Sequence, residues 1–177
     1  MRIISGKYKG KTISAPKNLP VRPTTDFAKE GLFNVLNNEF DFEEIEVLDL
    51  FSGTGNIAYE FVSRGAKKVL CIDQNYSCVS FIKKTSKELD FKQLTVFKND
   101  VFIYLKQYHQ TFDIIFADPP YDLKEIPLLP DLVFNNQLLN KNGWLIIEHD
   151  KRTDLSKFPN FLAQRKYGNV NFSIFQN

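Results

Sequence analysis

The ten residues Phe112–Tyr121, FDIIFADPPY, join a strand to a cluster of groups that could bind a ligand. An apolar run broken only by Asp113 is typical of a strand buried on both faces of a parallel sheet. The DPPY turn, Asp118–Tyr121, must end that strand, because neither proline has the N–H that a sheet ladder needs. Ligands of open α/β sheets bind at the carboxyl ends of strands, so we expect a site here.

The chemistry of the DPPY turn suits an amino group attached to a flat ring. The carboxylate of Asp118 and the carbonyl of Pro119 are two fixed acceptors for the two hydrogens of an exocyclic amine, and Tyr121 can stack on the base. Donation of both hydrogens draws the nitrogen lone pair out of conjugation and directs it at an electrophile. The alternative is an ordinary turn at the end of a strand, where Asp and Pro are common.

A second candidate site is the glycine loop, Asp49–Asn56 (DLFSGTGN), which follows the first predicted strand and includes Phe51. Gly53 and Gly55 permit a tight turn close to a ligand, and the next helix directs its N-terminus at that ligand. The spacing is not the GxGxxG of dinucleotide-binding proteins. Because Asp49 precedes the turn, a cofactor whose amino-acid portion carries an ammonium group fits better than a pyrophosphate. A simple strand-to-helix turn is the alternative.

Two further acids follow the next two predicted strands. Asp73 could bind both hydroxyls of a ribose. Asp100 could accept a hydrogen bond from an adenine amino group, with the backbone N–H of Val101 directed at the ring. Each acid could instead cap the following helix. The acids lie at successive strand ends, however, in the order that a cofactor laid across the sheet would need.

The composition bounds the class of protein. A chain of 177 residues with 43% hydrophobic and 25% charged residues is ordinary for a single soluble domain. No apolar run reaches the ~18 residues of a membrane span, and the N-terminus lacks the apolar core of a signal peptide. Cys71 and Cys78 form no metal-binding pattern. We therefore expect no metal, reduced thiols and a cytoplasmic protein.

The charge is unevenly distributed along the chain. Residues 1–25 hold six of the 23 basic residues and none of the 21 acidic ones, which leaves −4 on the remainder. Apolar residues and glycines alternate with the charges, so we predict a short hairpin with a cationic face that binds a polyanion. A disordered tail is the alternative. We divide the chain into a basic arm, residues 1–21, and a second domain, residues 22–177. The predicted polyanion contacts are Arg2, Lys7, Lys9 and Lys11.

Hydrophobic periodicity predicts alternating strands and helices, hence a doubly wound α/β sheet with right-handed crossovers. A Thr or Asp caps the first helix, whose apolar face is Phe27, Leu32, Val35 and Leu36. The predicted strands are residues 45–51, 68–73, 94–98, 112–117, 144–148, 161–166 and 170–175, and the predicted helices are residues 26–38, 56–64, 76–89, 101–108 and 128–139.

Together the glycine loop, Asp73, Asp100 and the DPPY turn resemble class I S-adenosylmethionine-dependent methyltransferases with the amino-methylating [DN]PP[YF] motif. The segments RIISGKYKGKTISAP, VRPTTD, KEGLFNVL and KYGNVNFSIF are more specific. They resemble the RsmD family, which methylates the N2 amine of a guanine in small-subunit (16S) ribosomal RNA. The likeness covers nearly the whole chain.

The resemblance implies a Rossmann-like sheet of seven strands with a terminal hairpin, and an N-terminal β-hairpin arm that helps hold RNA. It implies S-adenosyl-L-methionine as the cofactor, with Arg22, Thr24 and Thr25 near its methionine end. The implied partner is small-subunit ribosomal RNA or a 30S assembly intermediate, bound by a monomer. In one departure, Phe27 stands where the family commonly has Arg, so that basic contact is either lost or taken over by Lys29.

We therefore predict a 16S rRNA (guanine-N2)-methyltransferase. Since the cofactor already activates the methyl carbon, the protein mainly positions the reactants, and the target guanine must leave its stack. One alternative is another amino-methyltransferase, acting on adenine N6 or another amine of RNA or DNA, such as cytosine N4 in DNA, or on a protein amide. A second is a non-catalytic RNA-binding assembly factor. A nicotinamide oxidoreductase is disfavoured by the absent GxGxxG.

Overall fold

The computed structural model describes residues 1–16, 19 and 24–177. The α-helices are α1 Asp26–Glu39, α2 Asn56–Ser63, α3 Tyr76–Glu88, α4 Val101–Gln107 and α5 Leu128–Asn135. The strands are β1 Glu46–Leu50, β2 Lys68–Asp73, β3 Leu94–Lys98, β4 Phe112–Ala117, β5 Leu139–His149, β6 Phe161–Tyr167 and β7 Val170–Gln176. In this part of the chain, no helix has the length and apolar character that crossing a membrane requires.

The seven strands form one sheet in the order β3-β2-β1-β4-β5-β7-β6. Neighbours from β3 to β5 are parallel, whereas β7 is antiparallel to both β5 and β6. The strand order reverses between β1 and β4, where Leu50 pairs with Ala117. Ligands of doubly wound sheets bind at this reversal, outside the carboxyl ends of the strands. The predicted α/β sheet with a terminal hairpin is confirmed.

Both faces of the central strands are buried, as their continuous apolar sequence predicts. Because side chains alternate along a strand, Val47 and Phe116 face α1, α2 and α3, whereas Leu48 and Ile115 face α4 and α5. Two hydrophobic cores therefore pack the sheet between helices. The strand ends that carry the candidate site are thus supported by packing on both faces of the sheet.

Three local predictions are wrong. The helix predicted for residues 128–139 ends at Asn135, because Gln137 takes a left-handed φ of 53° that ends the helical run. The strand predicted for residues 144–148 corresponds to β5, which begins five residues earlier, at Leu139. Phe27 is 67% exposed and does not belong to the apolar face of α1. That face is one residue further round the helix and includes Ala28, Lys29 and Phe33.

The arm is packed on α2. Ile3 and Ile13 are buried in the core beside α2, and Arg2 and Thr12 form an antiparallel bridge. The backbone N–H groups of Ile4 and Ser5 donate to the carboxylate of Glu60, at 2.8 and 3.0 Å. Residues 1–16 thus form a compact turn that is held by backbone contacts, which leaves lysine side chains of the arm exposed.

Candidate active site

The glycine loop makes a sharp turn between β1 and α2. Phe51, Gly53 and Gly55 have left-handed φ values of 55°, 54° and 79°. Such a φ strains a bulky residue like Phe51, and strain of this kind is concentrated at functional sites. A Cβ on Gly55 would lie 2.7 Å from the ring of Tyr59, so this position requires glycine. The loop therefore leaves backbone exposed to a ligand just before α2 begins.

Asp73, at the end of β2, shapes the glycine loop from the neighbouring strand. Its carboxylate accepts from the N–H of Gly53 at 2.8 Å and from the N–H of Asn75 at 2.7 Å. Asn75 caps α3, so the helix-cap alternative for Asp73 is wrong. Each carboxylate oxygen can accept a further hydrogen bond, and binding of ribose hydroxyls remains a prediction.

Asp49 lies at the centre of the site with an unsatisfied oxygen. It is 2% exposed, and its Oδ2 has no hydrogen-bond partner among the described residues. Burial, together with the charge of Asp73, raises the pKa of Asp49 well above its ordinary range. A buried acceptor without a partner costs about 1–3 kcal/mol, so Asp49 fits a site in which a ligand supplies the donor.

The DPPY turn leaves β4 beside the glycine loop, with the N–H of Asp118 donating to the carbonyl of Leu50 at 3.4 Å. Asp118 is partly buried and Pro119 is buried. Burial raises the pKa of Asp118 well above its ordinary range, and the charges of Glu148 and Asp49 raise it further. This acceptor therefore lies among acids, where a donor from a ligand would stabilise its charged form.

Glu148, near the end of β5, is the principal residue that the sequence analysis missed. Its Oε1 accepts from the hydroxyl of Tyr121 and its Oε2 from the hydroxyl of Thr24, each at 2.7 Å. Glu148 is 3% exposed; burial raises its pKa, and the two hydroxyl donors oppose the shift. Since β5 runs parallel to β4, the strand-end rule that selected Asp118 also applies to Glu148.

The two threonines before α1 have different roles. Thr25 caps α1, accepting from the N–H of Ala28 at 3.2 Å, as predicted for a Thr or Asp at this position. Thr24 is buried and directed at Glu148, and its carbonyl accepts from the side chain of Asn56 at 3.0 Å. Arg22 lies outside the described residues.

Asp100 caps α4, since its carboxylate accepts from the N–H of Ile103 at 2.9 Å. The capping alternative is thus correct for Asp100, although its second carboxylate oxygen does not take part in the capping hydrogen bond. Val101 is buried at the start of the helix, so only its backbone could face a cofactor. Contact with an adenine remains a prediction for both residues.

The basic residues of the arm differ in exposure. Lys7, Lys9 and Lys11 are exposed, and Arg2 lies 3.6 Å from the carboxylate of Asp26 in an exposed ion pair. Lys29 is fully buried, with its Nζ donating to the carbonyl of Arg2 at 2.6 Å and to Asn56 at 2.8 Å. Lys29 therefore cannot take over an external contact in place of the arginine that Phe27 replaces.

Comparison with known proteins agrees with this geometry. A family model described as Conserved hypothetical protein 95 matches residues 1–176. The chain belongs to this family. One relative is the ribosomal RNA small subunit methyltransferase D of Buchnera aphidicola, which is 32% identical over 181 residues, or 100% of this chain and 92% of the relative. The resemblance to the RsmD family is thereby confirmed.

Solved structures share the fold of this member of the Conserved hypothetical protein 95 family. HI0767 of Haemophilus influenzae, a candidate methylase, is 30% identical with a TM-score of 0.81, covering 99% of this chain and 97% of that one. An RNA methyltransferase from Salinibacter ruber, crystallised with S-adenosyl-L-homocysteine, has a TM-score of 0.69 at 14% identity, covering 88% of this chain and 93% of that one. At this low identity the second likeness concerns the fold alone.

Proposed function

We propose that the protein transfers a methyl group from S-adenosyl-L-methionine to the N2 amine of a guanine in small-subunit (16S) ribosomal RNA. The observation that carries this proposal is the juxtaposition of the DPPY turn and the glycine loop at the reversal of strand order, where Leu50 pairs with Ala117. The groups that accept hydrogen bonds from the target amine then lie beside the loop that holds the cofactor, as in-line transfer requires. The name of the Buchnera aphidicola relative supports the choice of small-subunit ribosomal RNA.

The residues around the glycine loop fit the proposed cofactor. S-adenosyl-L-methionine would supply a methyl group on a cationic sulfonium, together with an ammonium group. The unsatisfied Oδ2 of Asp49 is an acceptor for a cationic donor, and Gly53 and Gly55 leave room for close approach to the backbone. Asp73 and Asp100 would bind the ribose and the adenine, with Phe51 and Val101 beside them and Thr24, Thr25 and Arg22 at the methionine end.

The DPPY turn would hold the base. Asp118 and the carbonyl of Pro119 accept from the exocyclic amine, and Tyr121 stacks on the ring. Hydrogen bonds from the amine favour the carboxylate form of Asp118 against its burial, so binding of the base lowers the raised pKa of that side chain. The orienting acceptor thus becomes charged when the amine is in place.

The arm would bind the RNA around the target. A cleft of about 630 Å³ separates the arm from α3, and its lining includes Lys11, Ser14, Tyr76 and Lys84. Tyr76 is 71% exposed and begins α3 directly after the Asp73 segment, so this cleft begins at the ligand edge of the sheet. Lysines at this position suit phosphates, and an exposed Tyr suits a stacked base, as single-stranded RNA requires.

The proposal includes the form of the substrate and of the enzyme. A monomer acting in the cytoplasm would find the target guanine in small-subunit ribosomal RNA or in a 30S assembly intermediate. Flipping the base costs least where it is not paired, so an RNA loop is the expected target.

The decisive experiment is methyl transfer to 30S subunits and 16S RNA from a strain that lacks the gene. We expect calorimetric binding of S-adenosyl-L-methionine and, by nucleoside mass spectrometry, a single N2-methylguanosine in the product RNA. Detection of N6-methyladenosine instead would identify adenine, not guanine, as the substrate. Binding of RNA without methyl transfer to either substrate would identify a non-catalytic assembly factor instead.

A further inference from the structure

A continuous series of hydrogen bonds, here called the Lys29–Glu148 chain, joins the arm to the candidate active site. Lys29 donates to the carbonyl of Arg2 at 2.6 Å and to Oδ1 of Asn56 at 2.8 Å. The other end of the Asn56 amide, Nδ2, donates to the carbonyl of Thr24 at 3.0 Å. The N-terminus of the arm and the residue before the α1 cap are therefore tied to the start of α2.

The Lys29–Glu148 chain ends on the two oxygens of Glu148, which take the hydroxyls of Thr24 and Tyr121 at 2.7 Å each. Glu148 is 3% exposed and Thr24 7%, so little water competes for these bonds. Hydrogen bonds to a charged acceptor are shorter and about twice as strong as those between neutral groups. Glu148 therefore restrains the hydroxyl end of the Tyr121 ring.

We propose that Glu148 is a positioning residue that holds the Tyr121 ring in place for the target base. This inference rests on the proposed methyl transfer and adds a residue to it. The ring turns about two side-chain torsions, and Glu148 is the described residue that holds its hydroxyl. The Lys29–Glu148 chain also links the ring position to the arm, to which the proposed function assigns RNA binding.

Glu148→Gln tests this role, because Gln keeps the size of the side chain but offers only one acceptor oxygen for the two hydroxyls. We expect kcat to fall by about tenfold or more, because a displaced Tyr121 ring would misalign the target base with the methyl group. The Kd for S-adenosyl-L-methionine should change by less than about twofold. Glu125→Gln, a change of an exposed glutamate, is the matched control and should leave kcat unchanged.

A double-mutant cycle with Tyr121→Phe separates positioning from a merely structural role. Tyr121→Phe removes the hydroxyl that Glu148 holds, so Glu148→Gln should lower kcat much less in the Tyr121→Phe variant than in the wild type. If Glu148 only stabilises the fold, Glu148→Gln should lower the melting temperature and reduce kcat by the same factor in the wild type and in Tyr121→Phe. That result would overturn the proposal. Thr24→Val, which is nearly isosteric, provides a second variant if Glu148→Gln does not fold; there we expect a smaller loss of kcat.

The outcomes distinguish this inference from the proposed function. If the wild type does not methylate small-subunit RNA, the proposed function fails. If the wild type is active and folded Glu148→Gln has the same kcat, only the positioning role of Glu148 is rejected.

Discussion

At the scale of single residues, Asp118 is the side chain on which the proposed chemistry depends. Asp118→Ala removes an acceptor for the target amine and leaves the glycine loop and Asp73 intact. We expect S-adenosyl-L-methionine binding to persist while the single-turnover methylation rate falls by ~100-fold or more. Asp118→Asn keeps one acceptor oxygen and should retain partial activity, above that of the Ala variant.

The stability of these variants supplies the control. Asp118 has a raised pKa because of its partial burial and the charges of Glu148 and Asp49, so a neutral Asn should melt at or above the wild-type temperature. Loss of activity in Asp118→Asn would then not be caused by unfolding. Near-normal transfer by a folded Asp118→Ala protein would contradict the proposed chemistry.

Asp49 makes the stability of the protein without cofactor depend on pH. Its pKa is raised in the folded state, so the folded chain keeps a proton that the unfolded chain loses above about pH 4. Stability from this group is therefore lost as pH rises from about 4 toward the raised pKa, by up to about 1.4 kcal/mol per pH unit. Asp49→Asn has no such proton and should gain stability relative to the wild type over that window.

Urea unfolding at several pH values measures this difference. Asp154→Asn is the control, since Asp154 is exposed and its pKa is lowered by hydrogen bonds from Ser156; its contribution is lost only as pH falls. That variant should leave the slope above about pH 4 unchanged. Parallel curves for the wild type and Asp49→Asn would show that Asp49 is ionised in the fold. The same variant should bind S-adenosyl-L-methionine more weakly if Asp49 accepts from the ammonium group.

At the scale of elements, the packing of the arm on α2 depends on Gly6. This residue has a left-handed φ of 81°, and a Cβ would overlap the carbonyl of Ser63, to which the next residue, Lys7, donates its N–H at 2.7 Å. Gly6→Ala should therefore detach the arm and lower the free energy of unfolding by about 1–3 kcal/mol, the range of a lost buried contact.

Gly10→Ala is a matched control for Gly6→Ala. Gly10 has nearly the same φ of 82°, but a Cβ there meets nothing within 4 Å. The two variants thus share the backbone strain and differ in the clash. Amide hydrogen exchange of Ile4 and Ser5 should become fast in Gly6→Ala and stay slow in Gly10→Ala; equal exchange in both would reject a specific docking of the arm.

At the scale of the whole molecule, the arm is positively charged and the remainder of the chain has a net negative charge. Deletion of the arm would be an unclear test, because it removes Ile3 and Ile13 from the core and leaves Glu60 with fewer donors. Replacing the exposed Lys7, Lys9 and Lys11 by Ala removes charge and keeps the backbone contacts.

We expect this triple variant to bind RNA more weakly and to flatten the plot of log K against log salt concentration. The slope should change by about 2, since each lost contact with single-stranded nucleic acid contributes about 0.7. Affinity for S-adenosyl-L-methionine should stay the same. Lys106, Lys141 and Lys157 are exposed outside the arm, and their replacement by Ala is the control for net charge. An equal change of slope in both variants would mean that the arm is not the RNA contact.

The sequence by itself determined six of the seven strands, most helix limits and the edge at which the site lies; β5 begins five residues before the predicted strand. Continuous apolar runs that end in Asp73 and Asp118 specify buried parallel strands, and parallel strands bring their carboxyl ends to one edge. The helix predicted for residues 128–139 was too long, because Leu138 and Leu139 continue the apolar pattern of α5. These residues suit a buried strand as well as a helix, so periodicity could not locate the boundary.

Only the tertiary structure decided which side chains meet at that edge. Thr24 and Glu148 are separated by 124 residues along the chain and by 2.7 Å in space. Asp73 holds the glycine loop, and Lys29 is buried under the arm although its charge favours water. Local propensity and periodicity describe neighbours in sequence, whereas these partners are brought together by packing of the sheet on α1 and α2, which no local pattern encodes.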